Sequence, residues 1–203
     1  MNHHGVTTPH RVSLPAIPRL GQYFFLIAWA TTATLHAIQL HVGNNYSLTF
    51  TDVDRHQLST ADGHVTIITV ATRKDEAKAQ AVGDHVPRQF YGDPKFRLIT
   101  LVNFQQNVLP PFRGMLSAII RHRLDSEAKE LQKTYTERHL SRNPRDDIYV
   151  VADFDGKAVM QLGISPTSSD FAVFIFDEHG RLVRRWTDPP TAEMLAQAMQ
   201  EAR

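Results

Sequence analysis

Val65 to Ala71 reads Val-Thr-Ile-Ile-Thr-Val-Ala, an unbroken β-branched and apolar run. That is the pattern of a strand covered on both faces in the middle of a sheet. Ser47 to Val53 alternates polar and apolar residues and runs into Asp52-Val-Asp-Arg, a strand entering a turn. Lys74 to His85 is alanine-rich and charged and is stopped by Pro87, which predicts a short helix. Arg97 to Phe104 predicts another strand. After Pro110-Pro111, Leu116, Ile120, Leu124, Ala128, Leu131 and Tyr135 recur at three- and four-residue steps. They predict a long helix over Phe112 to Leu140 with one apolar face, ended by Asn143-Pro144.

The C-terminal third predicts two hairpins and a helix. Ile148 to Ala152 reads as a strand, Asp153-Phe-Asp-Gly156-Lys157 as a turn, and Ala158 to Leu162 as the return strand. Phe171 to Phe176 leads into Asp177-Glu-His-Gly180-Arg181 and a further strand, Leu182 to Trp186. Each Asp-x-x-Gly sets a backbone-bonding carboxylate before a glycine that can turn φ positive. Thr191 to Ala202 closes the chain as a helix, with Thr191 as N-cap behind Pro189-Pro190. The order predicts an α/β fold, a mixed central sheet with helices on both faces.

The N-terminus has a different character. Met1 to Gln22 is polar and rich in proline and histidine, and its only formal side-chain charges are Arg11 and Arg19. Tyr23-Phe-Phe-Leu-Ile-Ala-Trp-Ala then leads through small residues to Ala37. A basic lead, a short apolar run and small residues predict a cleavable export signal over 1–37, with a domain over 38–203. Cleavage after Ala33 is the alternative to Ala37. An uncleaved anchor needs about 20 apolar residues, and threonines and His36 interrupt this run first. A periplasmic or secreted protein without a stable membrane span is therefore expected.

Composition narrows the function classes. A chain of 203 residues with 42% hydrophobic content can bury one sizeable core. Its 22 basic and 21 acidic residues nearly cancel, which argues against nucleic acid as a partner. The chain contains no cysteine, so disulfides and thiolate metal sites are excluded.

Asp153-Phe-Asp-Gly-Lys, Leu162-Gly-Ile164 and Phe174-Ile-Phe-Asp177-Glu-His-Gly180-Arg-Leu-Val resemble the C-terminal half of peroxiredoxin and thioredoxin-like proteins. Val65 to Met199 is similar in order and spacing to the YtfJ-like family, small exported bacterial proteins of thioredoxin-like fold with no established activity. The shared order includes Thr100-Leu-Val-Asn103, the long amphipathic stretch and Ser168-Ser169. The resemblance implies a reactive thiol pair after the first core strand, where a helix N-terminus stabilises a thiolate. Here that place is Ala71-Thr-Arg-Lys-Asp-Glu-Ala77, with Lys74 and Ala77 at the pair's positions. It also implies a cis-proline just before Phe171, and the nearest proline is Pro166. With no thiol at either place, neither thiol–disulfide exchange nor peroxidase activity is expected.

Other chemistry is sparse. The eleven histidines form no helical i, i+4 pair and no H-E-x-x-H, so they read as surface residues. Asp153, Asp155 and Gly156 resemble the start of a calcium loop, but Ile164 stands where a bidentate glutamate is needed. Asp52 and Asp54 could pair for acid–base work, although turn aspartates are common. No G-x-S-x-G elbow occurs. Arg73-Lys74-Asp75-Glu76 could seat an anion at a helix start, or form a solvated first turn in which both acids complement the helix dipole. His122, Lys129 and Lys133 could form a basic partner surface, against a solvated face with Asp125–Lys129 and Lys133–Glu137 pairs.

No catalytic, cofactor or metal residue is assigned from the sequence. The expected function is a redox-inactive thioredoxin-like module that binds a protein or small ligand outside the cytoplasm. The competing readings are an enzyme of this fold with a non-cysteine site near Thr72–Lys74, and a nucleic-acid regulator that charge and export both oppose.

Overall fold

The computed structural model describes residues 39–203. The expected signal segment and its boundary at 37/38 lie outside the described residues. The predicted core strand is β3, Val65–Ala71, and all seven of its residues are buried. Before it, β1 (Thr49–Thr51) and β2 (Gln57–Ser59) form a separate antiparallel hairpin. A 3-10 turn over Arg73–Asp75 leads into α1, Glu76–His85. β4 (Phe96–Asn103) alternates half-buried and buried residues, and α2 (Pro110–Glu137) runs for 28 residues. Then come β5 (Ile148–Asp153), α3 (Lys157–Gln161), β6 (Ala172–Phe176), β7 (Leu182–Trp186) and α4 (Ala192–Glu201).

The five long strands make one sheet in the order β5-β4-β3-β6-β7. β3, β4 and β5 run parallel, whereas β6 runs antiparallel to both of its neighbours, β3 and β7. Ile68, Val70, Ile99, Leu101, Phe174 and Phe176 fill one face beneath α3 and the β1–β2 hairpin. Ile67, Val173 and Ile175 fill the other beneath α1 and α4, and Leu124 of α2 packs on Val150 of β5. The mixed sheet with helices on both faces is the expected architecture. Arg97, 7% exposed, binds Asp62 Oδ2 at 3.0 Å and Ser59 O at 3.2 Å, tying the segment after β2 to the sheet.

The hairpin expected from Ile148 to Leu162 does not form. Lys157–Gln161 forms the helix α3, with Leu162 as its C-cap, and the reason is Asp153. Its Oδ1 accepts the Gly156 N–H and its Oδ2 the Val159 N–H, both at 2.8 Å, so the carboxylate caps a helix start. Gly156 takes φ 79° against Pro166, where an added Cβ would lie 2.3 Å from the proline ring. The second turn does form a hairpin. Asp177 Oδ1 accepts the N–H groups of His179 and Arg181 at 3.0 and 2.8 Å.

The predicted apolar face of the long helix is the one that docks: Leu124, Ala128 and Tyr135 are buried. Its charged face is solvated, but the pairing differs from expectation. Asp125 bonds Arg145 at 3.0 Å, a residue beyond the helix end, in place of Lys129. Thr191 caps α4 as expected, accepting the Met194 N–H at 3.3 Å.

Candidate functional site

Three buried polar residues stand in a row at the carboxyl ends of the parallel strands. Ala71 pairs with Val102 and Asn103 with Asp153, so Thr72, Asn103 and Asp153 sit at one level of β3, β4 and β5. Their exposures are 6%, 3% and 3%. Open α/β sheets bind ligands at this end, because loops diverge there and leave a crevice.

Thr72 occupies the junction where the resemblance places the thiol chemistry, and its polar atoms are already used. Its hydroxyl donates to Asp75 Oδ2 at 2.6 Å, and its N–H donates to the same oxygen at 3.1 Å. Its hydroxyl oxygen accepts the Lys74 N–H at 3.3 Å, and its carbonyl accepts the Asp75 N–H at 3.0 Å. This is a capping box, in which the turn's own side chains satisfy the Thr72 and Lys74 N–H groups. Arg73 and Lys74 are exposed. Glu76 pairs with Arg123 of α2, and that pair holds its carboxyl below the ordinary range. Of the two readings of Arg73–Glu76, the geometry matches the solvated, self-capped turn.

Asn103 and Asp153 build the neighbouring rim. Asn103 Oδ1 accepts the Gln105 N–H at 2.8 Å, and its Nδ2 donates to Ser168 O at 3.1 Å. Gln105 and Gln106 both take left-handed φ, 54° and 59°, which costs of order 1 kcal/mol each for side chains of this kind. Their side-chain amides hold the loop by donating to Thr167 O at 3.1 Å and Asp155 O at 2.9 Å. Phe104 and Phe154 lie against each other above the strand ends, ring centroids 4.7 Å apart. Burial pushes the Asp153 carboxyl up, and the two capping N–H groups only partly oppose it. The salt bridge to Lys157 instead holds Asp155 below its usual range. Both carboxylates of the resembled calcium loop are therefore committed to the protein.

This rim escaped the sequence analysis. Glutamine carries no turn signal, so two consecutive left-handed glutamines leave no pattern to read. The single available clue was Asn103, whose short amide bonds readily to the backbone two residues on.

Two other clusters have structural explanations. Asp52, Asp54 and His56 bring ligand-type atoms within 4.8 Å of one another at the β1–β2 turn. Asp52 accepts the Asp54 N–H at 2.9 Å and the His56 N–H at 2.7 Å, and its second oxygen meets His56 Nδ1 at 2.8 Å. Asp54 pairs with Arg145. The expected carboxylate pair is thus a self-bonded turn, joined by a histidine that the sequence left among scattered ones. Beneath α2 lies a cavity of about 110 Å³, walled by Phe90, Leu98, Leu131 and Met199, with Tyr135 at its edge. That is well below the ~300–1,000 Å³ of small-molecule sites. Burial and the Asp147 carboxylate accepting its proton at 2.8 Å push the Tyr135 phenol up, so it stays protonated.

No family model matches the chain, and no curated protein sequence matches it. Solved structures do. One is described as DsbE, a thiol:disulfide interchange protein, from Chlorobium tepidum. It is 12% identical, covers 81% of this chain and 99% of its own, and superposes with a TM-score of 0.50. A peroxiredoxin-like protein from Aquifex aeolicus is 15% identical over 81% of this chain and 89% of its own, at a TM-score of 0.47. At these identities the likeness defines fold alone, and it rests on the first structure. The described residues adopt a thioredoxin-like fold, in a chain that has no cysteine.

Proposed function

We propose that this is an exported, redox-inactive thioredoxin-like module that binds a protein or small ligand at the rim of its parallel strands. The observation that carries the reading is the mutual locking of Thr72 and Asp75. Where this fold can hold a thiolate over free N–H groups, the N–H groups of Thr72 and Lys74 are closed on the chain itself. The rim beside them carries a half-buried aromatic pair, Phe104 and Phe154, and the side-chain oxygens of Gln105 and Gln106, whose amide nitrogens hold the loop. Export rests on the sequence of 1–37, and the likeness of Val65–Met199 to exported YtfJ-like proteins supports it. Charge balance speaks against nucleic acid, and no helix among the described residues is long and apolar enough to cross a membrane.

The enzyme reading has one observation in its favour, the 2.6 Å Thr72–Asp75 contact, which has the form of a nucleophile beside a base. Against it, the same threonine oxygen accepts a backbone N–H, and the arrangement is complete as a helix cap.

Partner capture from periplasmic extract tests the binding reading. A partner retained by the parent should be lost with Gln106→Ala plus Phe154→Ala. Equal retention by the variant, at unchanged fold, would place the binding face elsewhere.

A further inference from the structure

β4 lies between β3 and β5 in the sheet, yet only one of its faces is sealed. Ile99 and Leu101 are fully buried in the core beneath α3. Leu98, Thr100 and Val102, on the opposite face, are half-buried. An interior strand of a parallel sheet is ordinarily covered on both faces. Here α1 packs over β3 and α2 over β5, and the cavity of about 110 Å³ lies between them on β4. Leu98 and Thr100 form its floor, and Phe90, Leu131, Tyr135 and Met199 its walls. Tyr91 and Tyr149, which also line it, are half-buried, so the cavity reaches solvent.

A polar group beside that floor has no partner. Thr69 of β3 pairs in register with Thr100, and it shares a face of the strand with Ile67, which lines the cavity. Thr69 is 1% exposed, and its Oγ1 has no hydrogen-bond partner among the described residues. Adjacent strands run about 4.8 Å apart, so the two threonine side chains are neighbours on this face. A buried hydroxyl left unpaired is costly, and a ligand that brings the missing group would relieve it. The charges around the cavity, in contrast, are already answered. Arg97 meets Asp62, Asp147 meets Arg142, and Asp93 lies 3.8 Å from Arg203.

We propose that this cavity binds a neutral single-ring aromatic molecule bearing one hydroxyl, a ligand of the phenol class. The volume sets the size: too small for a drug-sized ligand, it approaches the roughly 150 Å³ of an apolar cavity that takes benzene. The walls set the ring. Phe90 and Tyr135 offer aromatic faces and edges, and the Met199 thioether adds a favourable contact of sulfur with a ring. The Thr69–Thr100 pair sets the hydroxyl, which would bond to the unpaired Thr69 Oγ1. Paired charges set neutrality, because a charged ligand would be buried here without a counter-ion. The site lies on the sheet face beneath α2 and is separate from the strand-end rim.

Titrating phenol into the full chain, followed by NMR chemical shifts, tests this. Saturable shifts centred on Leu98, Thr100 and Leu131 are expected. Benzene, which lacks the hydroxyl, should bind at the same place about tenfold more weakly. Thr69→Val with Thr100→Val keeps the shape of the floor and should remove that preference, bringing phenol down to the level of benzene. Leu131→Phe should fill the cavity and abolish binding of both. Phenol shifts that do not saturate, or that lie away from the cavity, overturn the inference. Equal affinity of the parent for phenol and benzene does so too, as does a phenol preference that survives the valine pair. Should Leu131→Phe fail to fold, the valine pair and the benzene comparison still decide.

Discussion

Thr72 and Asp75 hold each other through a single carboxylate oxygen, Asp75 Oδ2, which accepts both the hydroxyl and the backbone N–H of Thr72. The threonine oxygen then accepts the Lys74 N–H. These bonds occupy the N–H groups of Thr72 and Lys74 in the 3-10 turn that leads into α1. A structural cap and an anion-binding start are mutually exclusive uses of the same groups.

The cap should contribute measurably to stability. Thr72→Ala should destabilise the protein by about 0.5–2 kcal/mol, the range for losing an N-cap side chain. Urea unfolding would measure it. A silent substitution would mean that the cap is not formed in solution.

The two faces of α2 should respond differently. Leu124 is 3% exposed and packs on Val150, so Leu124→Ala should cost about 2–5 kcal/mol. Leu131 is only half-buried and borders the cavity, so its truncation should cost less. Lys129→Ala with Lys133→Ala should change stability by under about 0.5 kcal/mol, since both are exposed.

The β3 run was legible because a strand buried on both faces needs seven apolar or β-branched residues in succession, and few other structures do. α2 was legible because its buried positions keep helical spacing over many turns. Ala158 to Leu162 was not. Five residues carry neither period clearly, and the outcome is decided at Asp153, whose carboxylate reaches the Val159 N–H six positions on. A turn aspartate and a helix-capping aspartate look the same in sequence.

Gly156→Ala tests that capping turn. The substitution combines a left-handed φ of 79° with a Cβ 2.3 Å from Pro166. It should destabilise by more than the roughly 1 kcal/mol of an unstrained glycine-to-alanine conflict. Full stability in thermal unfolding would show that α3 does not start where it is drawn.

Acid should weaken the protein partly through Asp177. Burial opposes its ionisation, but the Arg181 guanidinium at 2.8 Å and the N–H groups of Arg181 and His179 outweigh this and depress its pKa. A depressed carboxylate contributes stability above the unfolded-state value of 3.8, lost as pH falls through the lower folded value. Asp153, raised by burial, has the opposite sign: its contribution is fullest below the unfolded value and is lost as pH rises through the folded one. In melting curves across pH, the deficit of Asp177→Asn should shrink on acidification. A deficit independent of pH would show that Asp177 has no depressed pKa in the fold.

The most direct test of the central claim is catalytic turnover by the protein in metal-free buffer, followed as peroxide consumption and as reduction of insulin disulfides. A chain without a thiol, with Thr72 closed on Asp75, should match the buffer blank in both assays. Turnover above the blank that disappears with Thr72→Val would contradict the account, because it would make that locked pair a nucleophile and its base.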